Sequence, residues 1–88
     1  MRAWRKEYGL ELLQAIADEP NRVPSHYIKQ FQKVRTAHVR HIDLYGEGLI
    51  TVNEEPGSGR RTLNITDKGR KVLKLANKVE EVYWEGKE

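Results

Sequence analysis

The sequence predicts one mainly helical α+β domain, in which a short β-hairpin separates a set of shorter helices from a long final helix. Apolar residues recur with the helical period before residue 46 and again after residue 66. Between these segments, residues 49–53 and 60–66 have the composition of strands and flank Pro56, Gly57 and Gly59, which is typical of a hairpin. We therefore expect a single domain over residues 1–88 with the order helix, short strand, helix, helix, strand, loop, strand, long helix.

The composition excludes several classes of protein. The chain has no cysteine, which excludes disulfides, thiolate zinc sites and cysteine nucleophiles and favours an intracellular compartment. No apolar run approaches the roughly 18 residues that a membrane span needs, and residues 1–9 lack the apolar core of a signal peptide. We expect a soluble, cytoplasmic protein without a membrane partner.

The first helix is expected over residues 3–18, where apolar side chains form a helical stripe. Gly9 allows an alternative in which the helix begins only after this glycine. Pro20 ends the helix, because proline cannot continue the hydrogen-bond ladder. The pair Arg22 and Val23 is too short for an independent strand, but it can add a minimal third strand beside the hairpin.

A short second helix and a turn are expected between residues 25 and 35. Ser25 is a plausible N-cap, and Tyr27 and Ile28 give this helix an apolar side. Val34 is expected to fill the angle between this helix and the next one.

The third helix is expected to open with Thr36 as its N-cap and to close at Gly46 and Gly48, both candidates for left-handed backbone. Its apolar residues allow two inward-facing sets, which differ by about one position: Val39, Ile42 and Tyr45, or Ala37 and Leu44. Either set leaves the polar residues of the helix pointing outward or to its flanks: His38, Arg40, His41 and Asp43.

The final helix, over about residues 67–84, is expected to begin after Thr66, whose hydroxyl can cap it. Asp67 then lies in the first turn, where a negative charge suits the helix dipole. Gly69 costs roughly 1 kcal/mol in a helix interior relative to alanine. Its expected benefit is a close approach of this helix to the hairpin or to the first helix.

Charge is distributed in blocks along the chain, although the net charge is only +3. Residues 20–42 hold five basic and no acidic residues, and residues 56–79 hold seven basic and one acidic residue. The intervening residues 43–55 hold four acidic and no basic residues. Two basic blocks of this kind indicate a surface that faces a polyanion. The alternative is an ordinary solvated face.

Several short motifs resemble those of a known class of DNA-binding protein. Gly48-Leu49-Ile50 opens the first strand, Arg60 follows the glycine-flanked tip, and Ile65-Thr66-Asp67-Lys68-Gly69-Arg70 opens the final helix. This pattern is similar to that of winged helix-turn-helix transcription regulators of the MarR-like and PadR-like type, including small archaeal and viral versions, with Ile65 in place of the usual leucine. The resemblance covers about residues 10–76. It implies that the third helix is a recognition helix and that the hairpin is a wing. The segment 39–49 is about one residue shorter than the usual spacing.

The predicted DNA contacts fall into three groups. Phosphate contacts are expected from cations around the turn and the start of the third helix: Lys29, Lys33 and Arg35. Base contacts are expected from the N-terminal part of that helix, which a helix-turn-helix places in the major groove: Thr36, His38, Arg40 and His41. Contacts to the minor groove are expected from the tip and second strand of the wing: Ser58, Arg60 and Arg61.

His38 and His41 are spaced i, i+3, a spacing that also fits a metal site or a pH-dependent affinity. Two histidines with only Asp43 nearby do not complete a set of ligands, so neither a metal nor another cofactor is predicted. No paired carboxylates, nucleophile–base set or phosphate-cradling glycine loop occurs at a usable spacing, so the protein is not expected to be an enzyme.

The apolar line along the final helix is long for a domain of this size, which favours a homodimer seam in addition to a core role. The expected interface consists of Trp4, Val72, Leu75, Val79, Val82, Tyr83 and Trp84. The sequence thus favours a homodimeric transcription regulator that binds double-stranded DNA sequence-specifically and without catalysis. The alternative is a winged-helix module that binds an acidic protein partner within a transcription or replication assembly. A small-molecule effector is left open.

Overall fold

The helices and strands follow the predicted order in the computed structural model, which describes residues 2–85. A short 3-10 helix, Ala3–Arg5, precedes α1 (Gly9–Asp18), α2 (Pro24–Ile28) and α3 (Val34–Gly46). The hairpin consists of β1 (Ile50–Glu54) and β2 (Arg61–Ile65), and it is followed by α4 (Asp67–Trp84).

The N-terminal segment takes the alternative in which the first helix begins at its glycine. α1 starts at Gly9, directly after Tyr8, whose φ of 69° lies in the left-handed region. A Cβ atom at position 9 would overlap the backbone of Ala3 and Trp4, so the 3-10 turn packs directly on the start of α1. α1 ends at Asp18, as the following proline predicts.

Two predicted helix caps in the helix-turn-helix are wrong. α2 begins one residue before Ser25, at a proline, which suits the first helical position because it has no N–H to satisfy and already has a helical φ. α3 begins at Val34, so Thr36 lies inside its first turn and Lys33 occupies the cap position without a side-chain hydrogen bond. Val34 was expected to fill the angle between the two helices. This prediction is wrong, because the side chain is 53% exposed.

The hairpin is antiparallel, with Ile50 opposite Ile65 and Glu54 opposite Arg61. An isolated bridge between Arg22 and Leu63 adds the predicted third strand at its minimal length. Gly48 has the predicted left-handed φ, at 76°, whereas Gly46 remains within α3.

The core lies where α1, α3 and the hairpin meet. Its largest inaccessible aliphatic side chains come from each of these parts of the fold: Leu12, Leu13 and Ile16, then Leu44, then Leu49, Ile50 and Leu63. The start of α4 closes this core with Leu73 and Ala76.

The predicted start of α4 is confirmed. The Thr66 hydroxyl accepts a hydrogen bond from the Gly69 N–H at 2.9 Å and donates one to the Gly48 carbonyl oxygen at 2.7 Å. A Cβ atom on Gly69 would overlap the Leu49 carbonyl oxygen and lie 2.7 Å from Cγ1 of Ile65. The glycine therefore provides the close approach of α4 to the hairpin that the sequence predicts.

The C-terminal half of α4 extends away from this core. Every described residue from position 77 onward is exposed, and the principal extents of the described chain are 54 × 28 × 24 Å. None of the helices in residues 2–85 is long and apolar enough to cross a membrane.

Candidate nucleic-acid interface

The inner face of α3 consists of Ala37, His41 and Leu44, which are 0%, 7% and 0% exposed. These residues are spaced i, i+4 and i+7 and so form one stripe along the helix. The inward set that contains Ala37 and Leu44 is therefore confirmed. The set of Val39, Ile42 and Tyr45 is wrong, because these side chains are 46%, 51% and 53% exposed.

His41 does not point outward as expected, because it belongs to this inner stripe. Its Nδ1 atom is buried without a hydrogen-bond partner in the described part of the chain. Burial lowers the pKa of His41, and the nearby His38 acts in the same direction through its charge, although a backbone hydrogen bond at His38 acts in the opposite one. The two rings are 4.9 Å apart, edge to face. His41 thus belongs to the inner face of α3, lies against the ring of His38 and is only 7% exposed.

Arg40 also departs from its expected position. Its Nε donates to the carbonyl oxygen of Glu7 at 2.8 Å, and its Nη1 forms an ion pair with Oδ2 of Asp43 at 2.8 Å. Only 13% of the Arg40 side chain is exposed. Arg40 therefore fastens α3 to the N-terminal segment, and its guanidinium faces away from the surface that the helix presents to solvent. Thr36 is half-buried on the same flank.

The outer face of α3 is formed by five exposed side chains: Arg35, His38, Val39, Ile42 and Tyr45. Arg35, Val39 and Ile42 are spaced i, i+4 and i+7 and form the outermost line, with His38 and Tyr45 beside it on the hairpin side. The sequence placed Arg35 and His38 at the interface but missed the other three. Their apolar character suggested burial, and helical periodicity alone does not distinguish an apolar outer face from an apolar inner one.

α3 and the hairpin enclose an open cleft of about 570 Å³. The residues that line it include His38, Ile42 and Tyr45 from α3 and Val52, Glu54 and Arg61 from the two strands. The cleft thus joins the outer face of α3 and the base of the wing into one surface, which we call the α3–wing surface.

The three predicted phosphate-binding cations are all exposed: Lys29, Lys33 and Arg35. Lys33 and Arg35 lie at the N-terminal end of α3, whereas Lys29 follows α2, and its charge acts on Glu19. Lys33 forms an ion pair with Glu7 at 3.1 Å, in which both side chains are about half exposed or more. Exposed pairs of this kind contribute about 0–1 kcal/mol. Lys33 can therefore exchange its carboxylate partner for a phosphate at little cost.

The wing presents its basic residues near an exposed tip. Gly57 and Gly59 have φ values of 87° and 70°, and the Ser58 hydroxyl between them accepts a hydrogen bond from the Arg60 N–H at 3.2 Å. Arg60 and Arg61 are exposed, and Nε of Arg61 lies 3.5 Å from a carboxylate oxygen of Glu54. This carboxylate offsets part of the positive charge at the base of the wing, whereas Arg60 lies nearer the tip.

A second exposed apolar surface lies along α4. Trp4, Val72, Leu75 and Val79 line a groove of about 250 Å³, which brings together the predicted interface residues from the two ends of the chain. From Leu75 onward, the large apolar side chains of this line are all more than half exposed: Leu75, Val79, Val82, Tyr83 and Trp84. No group of three potential metal ligands occurs among the described residues.

Two solved structures share this fold. One is CouR, a transcriptional repressor bound to a 23-mer DNA duplex, with a TM-score of 0.77 and 24% identity over 94% of this chain. The other is FabT of Streptococcus pneumoniae in complex with DNA, with a TM-score of 0.68 and 18% identity over 93% of this chain. The chain spans 63% of the length of each of these proteins. No protein-family model and no curated protein sequence matches it. The predicted fold is confirmed: the chain is a winged helix-turn-helix.

Proposed function

We propose that this chain is a transcription regulator of the cytoplasm that binds double-stranded DNA through the α3–wing surface and performs no catalysis. The observation that carries this proposal is the shape of that surface, where the exposed face of α3 and Arg61 of the wing line one cleft. Lys29, Lys33 and Arg35 are exposed within residues 20–42, which contain no acidic residue, and Lys33 and Arg35 lie at one end of this surface. Phosphate neutralisation by such cations supplies most of the affinity of DNA-binding proteins. The likeness of the fold to two DNA-bound proteins supports the same use.

We propose Arg35 and His38 as the residues that contact the bases, because they occupy the exposed N-terminal part of α3. His38 keeps the role that the sequence assigned to it, and Arg35 takes the role assigned to Arg40. Recognition helices of helix-turn-helix proteins contact base edges with this part. Arg35 can bind guanine through two hydrogen bonds, the most common specific contact in the major groove. Arg60, near the tip of the wing, is proposed to contact the minor groove.

The regulator is proposed to act as a homodimer. The apolar line along α4 includes Leu75 and Val79, whose side chains are 65% and 67% exposed. The second half of this helix projects from the core. A contiguous apolar patch on such a projecting helix is typical of an interface between subunits. One winged helix covers only about 600–1,000 Å² of DNA contact. A two-fold dimer that reads two half-sites therefore increases both affinity and specificity.

One observation favours the alternative, a protein-interaction module with an acidic partner. The middle of the α3 outer face is apolar at Val39 and Ile42, and apolar centres with a charged rim also occur in protein–protein interfaces. The two functions predict different affinities for duplex DNA at low salt, so a binding measurement separates them.

The test is fluorescence anisotropy with a labelled duplex at two salt concentrations. We expect binding that weakens steeply as salt rises, because counterions are released from the phosphates. Arg35→Ala should weaken binding at both concentrations. Lys78→Ala removes the same charge from the projecting half of α4 and should leave the affinity unchanged. A complete absence of binding to duplex DNA at low salt would favour the protein-interaction module.

A further inference from the structure

The middle of the α3 outer face is aliphatic. Val39 is 46% exposed and Ile42 is 51% exposed, and both lie on the outermost line of the helix with Arg35. The inner face of α3 is already filled by Ala37 and Leu44, so this pair is not required for the core. Two adjacent aliphatic side chains at the centre of a contact surface indicate a partner with apolar groups at matching positions.

Hydrogen-bonding groups are confined to the two ends of this face within the described chain. Arg35 and His38 lie at its N-terminal end, and the hydroxyl of Tyr45 lies at its C-terminal end. The polar residues between them are used elsewhere, because Arg40 is bound to Glu7 and Asp43 and His41 is buried. The centre of the helix can therefore recognise bases only through apolar contact.

We propose that Val39 and Ile42 read the methyl groups of neighbouring thymines in the major groove. This inference rests on the proposed DNA binding and deepens it, because it names the class of sequence that the helix prefers. The C5-methyl of thymine is the apolar group that a base pair displays in the major groove, and aliphatic side chains contact it. The preferred duplex thus carries thymines at the centre of each half-site, flanked by a base that Arg35 or His38 reads through hydrogen bonds.

The spacing of the two side chains suits adjacent base pairs. Val39 and Ile42 are three residues apart, which corresponds to a rise of about 4.5 Å along a helix axis. Base pairs follow one another at about 3.4 Å along DNA. A recognition helix that lies along the groove therefore places the two side chains over methyl groups one or two steps apart.

The surrounding charge selects DNA over an apolar peptide as the partner of this face. Lys33 and Arg35 are exposed at its N-terminal end. The carboxylates of Glu7, Asp43 and Glu54 are each paired with a cation, at 3.1, 2.8 and 3.5 Å respectively. An aliphatic centre with exposed cations at one end matches thymine methyl groups beside a phosphate backbone.

The experiment uses a duplex recovered by selection from random DNA and replaces each thymine in turn by deoxyuridine. Uracil keeps the base pairing and lacks only the methyl group. We expect one or two neighbouring positions in each half-site at which the replacement weakens binding by about fourfold, the effect of exposing one buried methyl group. Deoxyuridine elsewhere in the same duplex is the internal control.

Matched variants assign the effect to residues. We expect the Val39→Ala and Ile42→Ala proteins to bind the thymine and uracil duplexes with equal affinity when the replaced base is the one that the shortened side chain contacted. Val34→Ala, which shortens another exposed aliphatic side chain of α3, should retain the full difference. All three substitutions are at exposed positions, so we expect the variants to fold. The comparison of uracil and thymine duplexes with the wild-type protein needs no variant.

Equal binding of the uracil and thymine duplexes by the wild-type protein would overturn the inference and leave the proposed DNA binding intact. A uracil effect that persists unchanged in both Val39→Ala and Ile42→Ala would overturn the assignment to these residues. If the protein bound no duplex at all, the proposed function itself would fail.

Discussion

The substitution Gly69→Ala tests how closely α4 packs on the hairpin. On propensity alone it should stabilise α4, because alanine is favoured over glycine by about 1 kcal/mol in a helix interior. The new Cβ atom, however, would overlap the Leu49 carbonyl oxygen and lie 2.7 Å from Cγ1 of Ile65. Both contacts are shorter than the van der Waals separation of about 3.5–4.0 Å between carbon atoms. α4 must therefore move away from the hairpin.

Such a movement has a cost that exceeds the gain. Overpacking a core typically costs about 1–3 kcal/mol. The displacement also strains the Thr66 cap, whose hydroxyl is 2.9 Å from the Gly69 nitrogen, and the Thr66 N–H bond to the Leu49 carbonyl oxygen at 3.1 Å. Loss of a cap costs about 1 kcal/mol. After the propensity gain is subtracted, we expect Gly69→Ala to lower the free energy of unfolding by about 1–3 kcal/mol.

The measurement is thermal and denaturant unfolding followed by circular dichroism at one fixed protein concentration, because the stability of the proposed dimer would depend on concentration. A loss of 1 kcal/mol lowers Tm by roughly 4–8 °C in a domain of this size. Gly46→Ala is the matched control, since no atom lies within 4 Å of its new Cβ and the residue is helical. It should leave stability unchanged or raise it by up to about 1 kcal/mol. A Gly69→Ala protein as stable as the Gly46→Ala protein would refute the close packing of α4.

Three further predictions concern charge, assembly and pH. Lys33→Ala should reduce the slope of log affinity against log salt by about 1, whereas Lys78→Ala should not change it. Anisotropy titrations over a salt series measure both slopes, and a Lys33→Ala slope equal to that of the wild type would remove Lys33 from the phosphate contacts. Leu75→Asp should convert the proposed dimer to a monomer in sedimentation velocity, because it places a charge in the apolar line. Lys74→Asp on the polar face should leave the proposed dimer intact, and a dimer in both variants would argue against this interface. Because burial lowers the pKa of His41 in the folded state, the unfolded chain binds the proton more readily, and stability should fall as pH drops below about 6.5. His41→Leu should lose less stability than the wild type in thermal unfolding between pH 7.5 and pH 5; equal losses would show that His41 does not carry this dependence.

The parts of the fold that depend on local chemistry could be predicted from the sequence. Thr66 caps α4 because a hydroxyl at that position reaches the N–H three residues later, and this signal is contained in four consecutive residues. The hairpin follows from two β-type runs around Gly57 and Gly59, whose left-handed backbone needs no tertiary contact. Gly69 was identified because an interior glycine is costly unless close packing compensates for it.

The orientation of α3 could not be predicted in the same way. Both faces of this helix carry apolar residues, so hydrophobic periodicity admits Val39 and Ile42 as readily as Ala37 and Leu44. The choice is made by tertiary contacts from the distant N-terminal segment. Arg40 binds the Glu7 carbonyl oxygen, and the carboxylate of Glu47 accepts a hydrogen bond from the Ala3 N–H at 3.1 Å. These contacts join residues more than 30 positions apart in sequence, which no local pattern records.

The same contacts determine which of the predicted site residues are exposed. Arg35 is exposed because it lies on the side of α3 opposite the buried stripe, and His38 is exposed beside it. Arg40 and His41 were expected to point outward or to the flanks of α3. Arg40 is instead held by an ion pair and a backbone carbonyl, and His41 is buried. Polarity alone is a weak guide to exposure when a polar group finds a partner or loses its charge.

Sequence-specific binding through the α3–wing surface is tested most directly by selection of bound sequences from random duplex DNA with the full chain. We expect successive rounds to enrich a motif of two symmetric half-sites whose centres are about one helical turn, or a multiple of it, apart, because a two-fold dimer presents two copies of α3. Thymines should occupy the centre of each half-site. A recovered pool that remains random, from a protein shown to be folded, would contradict sequence-specific recognition by this surface.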